Sequence, residues 1–199
     1  MDKEERQQTF VAHKELLCHY SPFFENAFNG QFIEAKTQTM EMEDINSDVV
    51  GLLIHWLYTQ NIEFDEEDEA PDSVANLLPL AKLWTLADLC LIPTLQNAAA
   101  TLIHPLLKCA ESTAVKEFSE YAYETEGNIQ LKRMIVDKLA WFLSAKELER
   151  WMREGKLSGE LFIGVVVALK KGKPQSSSDP GDAKDGEELC AEDYFVRQK

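Results

Sequence analysis

Cysteine is scarce in this chain, and its four copies, Cys18, Cys90, Cys109 and Cys190, show no CxxC spacing. Neither a disulfide framework nor a zinc ribbon is expected from such a scatter, and the thiols read as small, mostly buried apolar groups. His13, His19, His55 and His104 have no HxxxH or HExxH relation, so a zinc site from Cys18, His19, Cys90 and Cys109 would need an accident of folding. Long apolar runs are missing as well. The longest, Leu161 to Leu169, has nine residues, against the roughly 20 of a membrane-spanning helix, and no membrane partner is expected. Basic charge is in deficit, with 20 Lys and Arg against 35 Asp and Glu and a formal charge of −15. A surface of that sign repels nucleic acid, whose binding depends on cations displacing counterions. No GxSxG elbow, GxxxxGK loop or GxGxxG turn is present, so neither an activated nucleophile nor a phosphate cradle is supplied. The expectation is a chain that is not an enzyme and takes no cofactor or metal. The start, Met1 to Arg6, is charged with no apolar stretch behind it, which predicts no signal peptide and a cytoplasmic or nuclear location.

What the chain does contain is 199 residues, 45% of them hydrophobic, enough for one sizeable core with appendages. Thr9 to Ala12 alternates weakly and predicts a short strand. A helical pattern opens at His13-Lys14 and meets Ser21-Pro22, where Ser can accept from free amides of the next helix and Pro at its first position loses nothing. That helix sets Phe23, Phe24, Ala27 and Phe28 along one side, and Asn29-Gly30 is expected to stop it with a left-handed residue. Alternation over Thr37 to Glu43, with Met40 and Met42 on one face, predicts a second strand. Ser47-Asp48 caps a helix from Val49 to Tyr58 that is apolar on nearly every side and expected to be buried nearly all round. Ile62 and Phe64 predict a brief edge strand, and residues 65–72 an acidic loop.

From Ser73 to Leu86 the helical pattern continues past Pro79, where a bend is expected. Another helix begins at Pro93 and is expected to end at Pro105. Val115, Phe118 and Ala122 lie on one face of a helix over 112–126 that stops at Gly127. Leu131, Ile135, Leu139 and Phe142 form the next such face, and Ser144 with Glu147 fits a reciprocal capping box. After Lys170 the composition turns to Lys, Pro, Ser and Asp without periodicity, which predicts a disordered acidic tail over 171–199.

Three blocks in order carry a resemblance. Phe10-Val11-Ala12-His13-Lys14-Glu15-Leu16-Leu17-Cys18, Ser21-Pro22-Phe23-Phe24 and Gly30-Gln31-Phe32-Ile33-Glu34 resemble the first helical hairpin of a BTB/POZ domain. Asp44-Ile45, Val49-Val50 and Leu57-Tyr58-Thr59 resemble its central helix, and Leu80 to Leu83 with Leu91 to Asn97 its last helical pair. The last block, with Tyr121 to Thr125 and Leu131 to Asp137, is most similar to BTB proteins of filamentous fungi. The resemblance implies an α+β, mostly helical fold, a helical cluster on a small β-sheet, over residues 8–104 with the family's leading strand missing or degenerate, followed by an α-helical extension over 105–170. It implies a non-catalytic protein-protein interaction module acting by self-association, as a homodimer, or by partner recruitment. Alternatives are a substrate adaptor on a cullin scaffold of a ubiquitin ligase, or a dimeric transcription-associated module without a DNA-binding element of its own.

Phe32 and Glu34 are the site residues this resemblance singles out, because Phe32-Ile33-Glu34 matches the hydrophobic-any-glutamate motif with which ligase-recruiting relatives touch the cullin. The alternative, and the default for a single aromatic near a core, is that Phe32 joins Phe23, Phe24 and Phe28 while Glu34 is solvated. His13 reads as a hydrogen-bonded structural histidine, the acidic run Glu63 to Glu69 as a solvated loop, and the apolar island Cys190 to Val196 either as a short linear motif or, by default, as chance composition.

Overall fold

The computed structural model describes residues 8–64, 73–125, 127–155, 157–172 and 191–197. Apolar periodicity becomes helix throughout: α1 (Lys14–Tyr20), α2 (Pro22–Asn29), α3 (Ile33–Thr37), α4 (Ser47–Thr59), α5 (Leu77–Leu89), α6 (Pro93–Cys109), α7 (Ser112–Glu124), α8 (Ile129–Asp137), α9 (Ala145–Arg153) and α10 (Gly159–Lys171). A 3-10 turn, Val74–Asn76, leads into α5, and a π-helical turn, Lys138–Phe142, extends α8.

No strand occurs among the described residues, so the small sheet expected from alternation at 9–12, 37–43 and 62–64 is corrected. Alternation only says that one side of an extended segment is apolar, whereas a strand also needs a neighbouring backbone to receive its hydrogen bonds. Ala12, Met40, Met42 and Ile62 do turn toward the core, without a ladder. The acidic loop 65–72 and the tail residues 173–190 and 198–199 lie outside the described residues.

α5 contributes to both of two apolar clusters, as does α6 through Leu95 and Ile103. Leu83, Leu86 and Ala87 of α5 join Leu17, Phe24, Phe28, Leu53, Trp56 and Leu57 from α1, α2 and α4. Its other face sends Leu77, Leu80, Ala81 and Trp84 to meet Ile103, Phe118, Leu131, Ile135, Leu161 and Val165 from α6, α7, α8 and α10. α5 is therefore the more deeply buried helix, with Leu77, Leu80, Ala81, Leu83, Trp84, Leu86 and Ala87 covered and Asp88 and Leu89 exposed at its end. α4, expected to be buried nearly all round, hides one face only: Val49, Leu53, Trp56 and Leu57 are buried, while Tyr58 is exposed.

Both internal prolines depart from expectation. Pro79 lies in the first turn of α5, where a missing amide costs nothing, and the change from 3-10 to α geometry falls at Leu77 instead of a bend at Pro79. α6 runs through Pro105. An interior proline costs about 3 kcal/mol, but Ile103, Leu106 and Leu107 around it are buried, and each such side chain gives roughly 1.5–3 kcal/mol. Burial wins.

The turn between α5 and α6 closes with the Ile92 N–H donating to the Ala87 carbonyl at 2.8 Å, which places Leu91 in the left-handed region at φ 56° with an exposed side chain. A side chain there costs about 1–2 kcal/mol, part of which glycine returns to unfolded-chain entropy. Leu91→Gly is expected to raise stability by about 0.5–1 kcal/mol, seen as a higher urea midpoint; a lower midpoint would contradict the turn geometry.

The extension is drawn together by close approach. A Cβ on Gly164 of α10 would stand 2.9 Å from Cγ2 of Val136 in α8, so glycine lets these helices touch. The Ser144 and Glu147 capping box opens α9 with both reciprocal bonds formed. Phe162, Ile163, Val167 and Leu169 of α10 are exposed.

A protein-docking corner at α2 and α3

Ser21 builds the corner that carries the site. Its Oγ accepts from the Phe24 N–H at 3.1 Å and donates to the Cys90 carbonyl at 2.5 Å, with the residue fully buried. One hydroxyl thus caps α2 and fastens it to the end of α5. Cys90 beside it is a buried thiol whose pKa is pushed up to about 12 by burial, so it stays neutral, as expected for a packing cysteine.

From that corner α2 buries Phe24, Ala27 and Phe28, with the rings of Phe24 and Phe28 stacked 6.0 Å apart. Gly30 then ends the helix for a reason other than the one expected: its φ of −85° is not left-handed. A Cβ at Gly30 would lie 2.2 Å from the Asn26 carbonyl oxygen, which only glycine avoids. The chain turns outward there and enters α3.

Gln38, left-handed at φ 53°, ties α3 back. Its Nε2 donates to the carbonyls of Ala35 at 2.7 Å and Phe28 at 3.3 Å, and Lys14 Nζ donates to the same Phe28 carbonyl at 3.0 Å. α3 is tied back to α2 at its far end, while at its start Phe32 and Ile33 stand out, each 63% exposed. The default expectation that Phe32 completes the phenylalanine core is therefore corrected: Phe23, Phe24 and Phe28 fill that core and Phe32 does not enter it. Glu34, in the first turn of α3, is half-buried.

His13 is hydrogen-bonded as expected. Its backbone N–H donates to the Tyr58 hydroxyl at 3.0 Å, and its Nδ1 lies 2.6 Å from the same oxygen. Thr59 Oγ1 donates to the His55 carbonyl at 3.0 Å and accepts from the Asn61 N–H at 3.1 Å, so the Tyr58-Thr59 pair anchors α1 and closes α4. No cluster of three or more metal-binding side chains occurs among the described residues, and none of the described helices is long and apolar enough to cross a membrane. A crevice beside Leu107, Met134 and Phe142 has a volume of about 10 Å³, room for roughly one water.

This order of helices from α1 to α5, with a capped hairpin and a projecting third helix, falls within a family match: residues 3–92 fit the model of the BTB/POZ domain. That match covers 90 of the chain's 199 residues, and over them the chain is similar to a BTB/POZ domain. Curated proteins are similar to part of the chain. Kelch-like protein 40 of Xenopus laevis is 32% identical over 78 residues, 39% of this chain and 13% of the relative. Kelch-like protein 3 of Mus musculus is 36% identical over 77 residues, again 39% of this chain and 12% of the relative. Kelch-like protein 21 of Homo sapiens is 24% identical over 141 residues, 71% of this chain and 22% of the relative. That last match is longer than the BTB/POZ match itself, so the likeness runs past residue 92 into the helical extension. The chain spans less than a quarter of the length of these relatives.

Proposed function

We propose that a BTB/POZ domain over about residues 8–104, with its helical extension, is a non-catalytic docking module, and that α3 presents Phe32 and Glu34 to a partner helix on a cullin-type scaffold. The observation that carries this reading is the exposure of Phe32 and Ile33 at the start of a short helix whose far end is tied back to α2 through Gln38. A pre-ordered aromatic loses little conformational entropy on binding, and anchors of this kind carry much of an interface's energy. Glu34 adds a charge at the rim, which sharpens partner choice more than affinity. In this role the chain would adapt substrates to a ubiquitin ligase. The wording of Leu91 to Asn97 and Tyr121 to Asp137 supports kinship with the BTB proteins of filamentous fungi, and a cytoplasmic or nuclear site fits the reading.

Capture of a purified cullin N-terminal region by the full chain tests it. The unsubstituted protein is expected to be retained, and Phe32→Ala to weaken retention about 30-fold, the loss of a roughly 2 kcal/mol anchor, with little change in melting temperature. Glu34→Ala should weaken it less. Equal retention of all three proteins would remove Phe32 and Glu34 from the interface, and no retention of the unsubstituted chain would remove the cullin.

Self-association is the second reading. Residues 8–13 approach α1 with no sheet pairing and with Val11 90% exposed, and an unpaired segment is open to the backbone of another chain. Light scattering on the full chain distinguishes a dimer from a monomer.

A further inference from the structure

The segment Ala191–Tyr194, a 3-10 turn, does not hang free: it docks between α6 and α8. Tyr194 is 2% exposed and its hydroxyl donates to Asp137 Oδ2 at 2.9 Å, where Asp137 is itself 5% exposed. Arg133 completes the grip from three directions. Its Nη1 donates to the Asp193 carbonyl at 3.1 Å, its Nε lies 3.7 Å from Asp137 Oδ2, and its guanidinium sits 5.2 Å from the centre of the Tyr194 ring. Asn97 reads the backbone two residues on: Nδ2 donates to the Val196 carbonyl at 3.2 Å while Oδ1 accepts from the Val196 N–H at 2.8 Å. A side-chain amide paired on both sides with one residue's backbone holds an extended peptide in register, as a neighbouring strand would.

We propose that the groove between α6 and α8 is a recognition site for short acidic peptides with an unmodified tyrosine followed by two apolar residues, and that this chain's own residues 191–197 are its resident, exchangeable ligand. The chemistry sets the selectivity. Asp137 needs a hydroxyl donor, which phenylalanine lacks. A phosphotyrosine would replace that donor with about −1.5 to −2 charges against a buried carboxylate. Because the resident segment is tethered, it acts at an effective concentration of about millimolar, and a free copy competes with it poorly.

The test uses the full chain with Tyr194→Ala, which removes the resident tyrosine and loosens the tethered segment, and a fluorescent peptide of residues 191–197. Saturable binding is expected, at least about 10-fold tighter than to the unsubstituted chain. Asn97→Ala in the Tyr194→Ala background should weaken it about 10-fold, the loss of two backbone hydrogen bonds. The phenylalanine peptide should bind about 10-fold less tightly, and the phosphotyrosine peptide not at all. Failure of the Tyr194→Ala chain to bind, or equal binding of the tyrosine and phosphotyrosine peptides, would overturn the proposal. Hydrogen exchange on the unsubstituted protein decides independently of any variant's folding: the Val196 amide should exchange at least about 10-fold slower than in the free peptide, and exchange at the free-peptide rate would refute the docking.

Discussion

Trp84→Ala is expected to destabilise the protein by about 3–5 kcal/mol, a large share of the 5–15 kcal/mol that holds a typical native state together. Trp84 is 2% exposed and belongs to the cluster formed with α6, α7 and α8, while Leu83, its neighbour on α5, is fully buried in the cluster formed with α1, α2 and α4. Truncating the indole opens a cavity on one side of α5, and the helix cannot relax into it without pulling Leu83 and Leu86 away from the other side. The melting temperature should fall by roughly 6–20 °C, taking 2–4 °C per kcal/mol for a chain of this size. The transition should stay single, because both clusters use the same helix. Circular dichroism follows the helices of both regions and emission follows Trp56 in one cluster and Trp151 in the other, and two resolved transitions in either signal would show that α5 does not couple them.

Ser21→Ala removes a single oxygen and is nevertheless expected to cost about 2–4 kcal/mol. The lost Oγ leaves two backbone groups, the Phe24 N–H and the Cys90 carbonyl, without partners in a corner closed to water, and each such orphan costs about 1–3 kcal/mol. An exposed helix cap would lose only about 1 kcal/mol; the excess measures the tie to α5. Urea unfolding should show a lower midpoint with an unchanged slope, since the surface exposed on unfolding is the same. A midpoint within error of the unsubstituted protein would mean that water reaches the corner.

The helices were legible because their signals are local. Ser21-Pro22, the Phe24 and Phe28 stripe, and Ser144 with Glu147 each specify a turn of backbone from within four or five residues, and each appears where expected. Strands were not, since Met40 and Met42 show which side of an extended segment is apolar and nothing about whether another backbone lies beside it. The same limit misassigned burial between α4 and α5: two apolar helices look alike until the elements that flank them are placed. Phe32 was visible as a candidate, but its exposure depends on the Gly30 approach to the Asn26 carbonyl and on the Gln38 clamp, contacts that composition does not register. The apolar island near the end of the chain was noticed, while its receptors, Asn97, Arg133 and Asp137, read as ordinary polar positions on amphipathic helices.

The double duty of α5 has a bearing on where this polypeptide tolerates scission. Severing it just after His104 would strand the greasy flank made by Leu77, Leu80, Trp84 and Ile103 in water, so the liberated N-terminal piece would clump. Trimming beyond α10 exposes no comparable stripe of α5. Any swapping of appendages during the molecule's history is therefore easier at its far end than at the seam between the two halves.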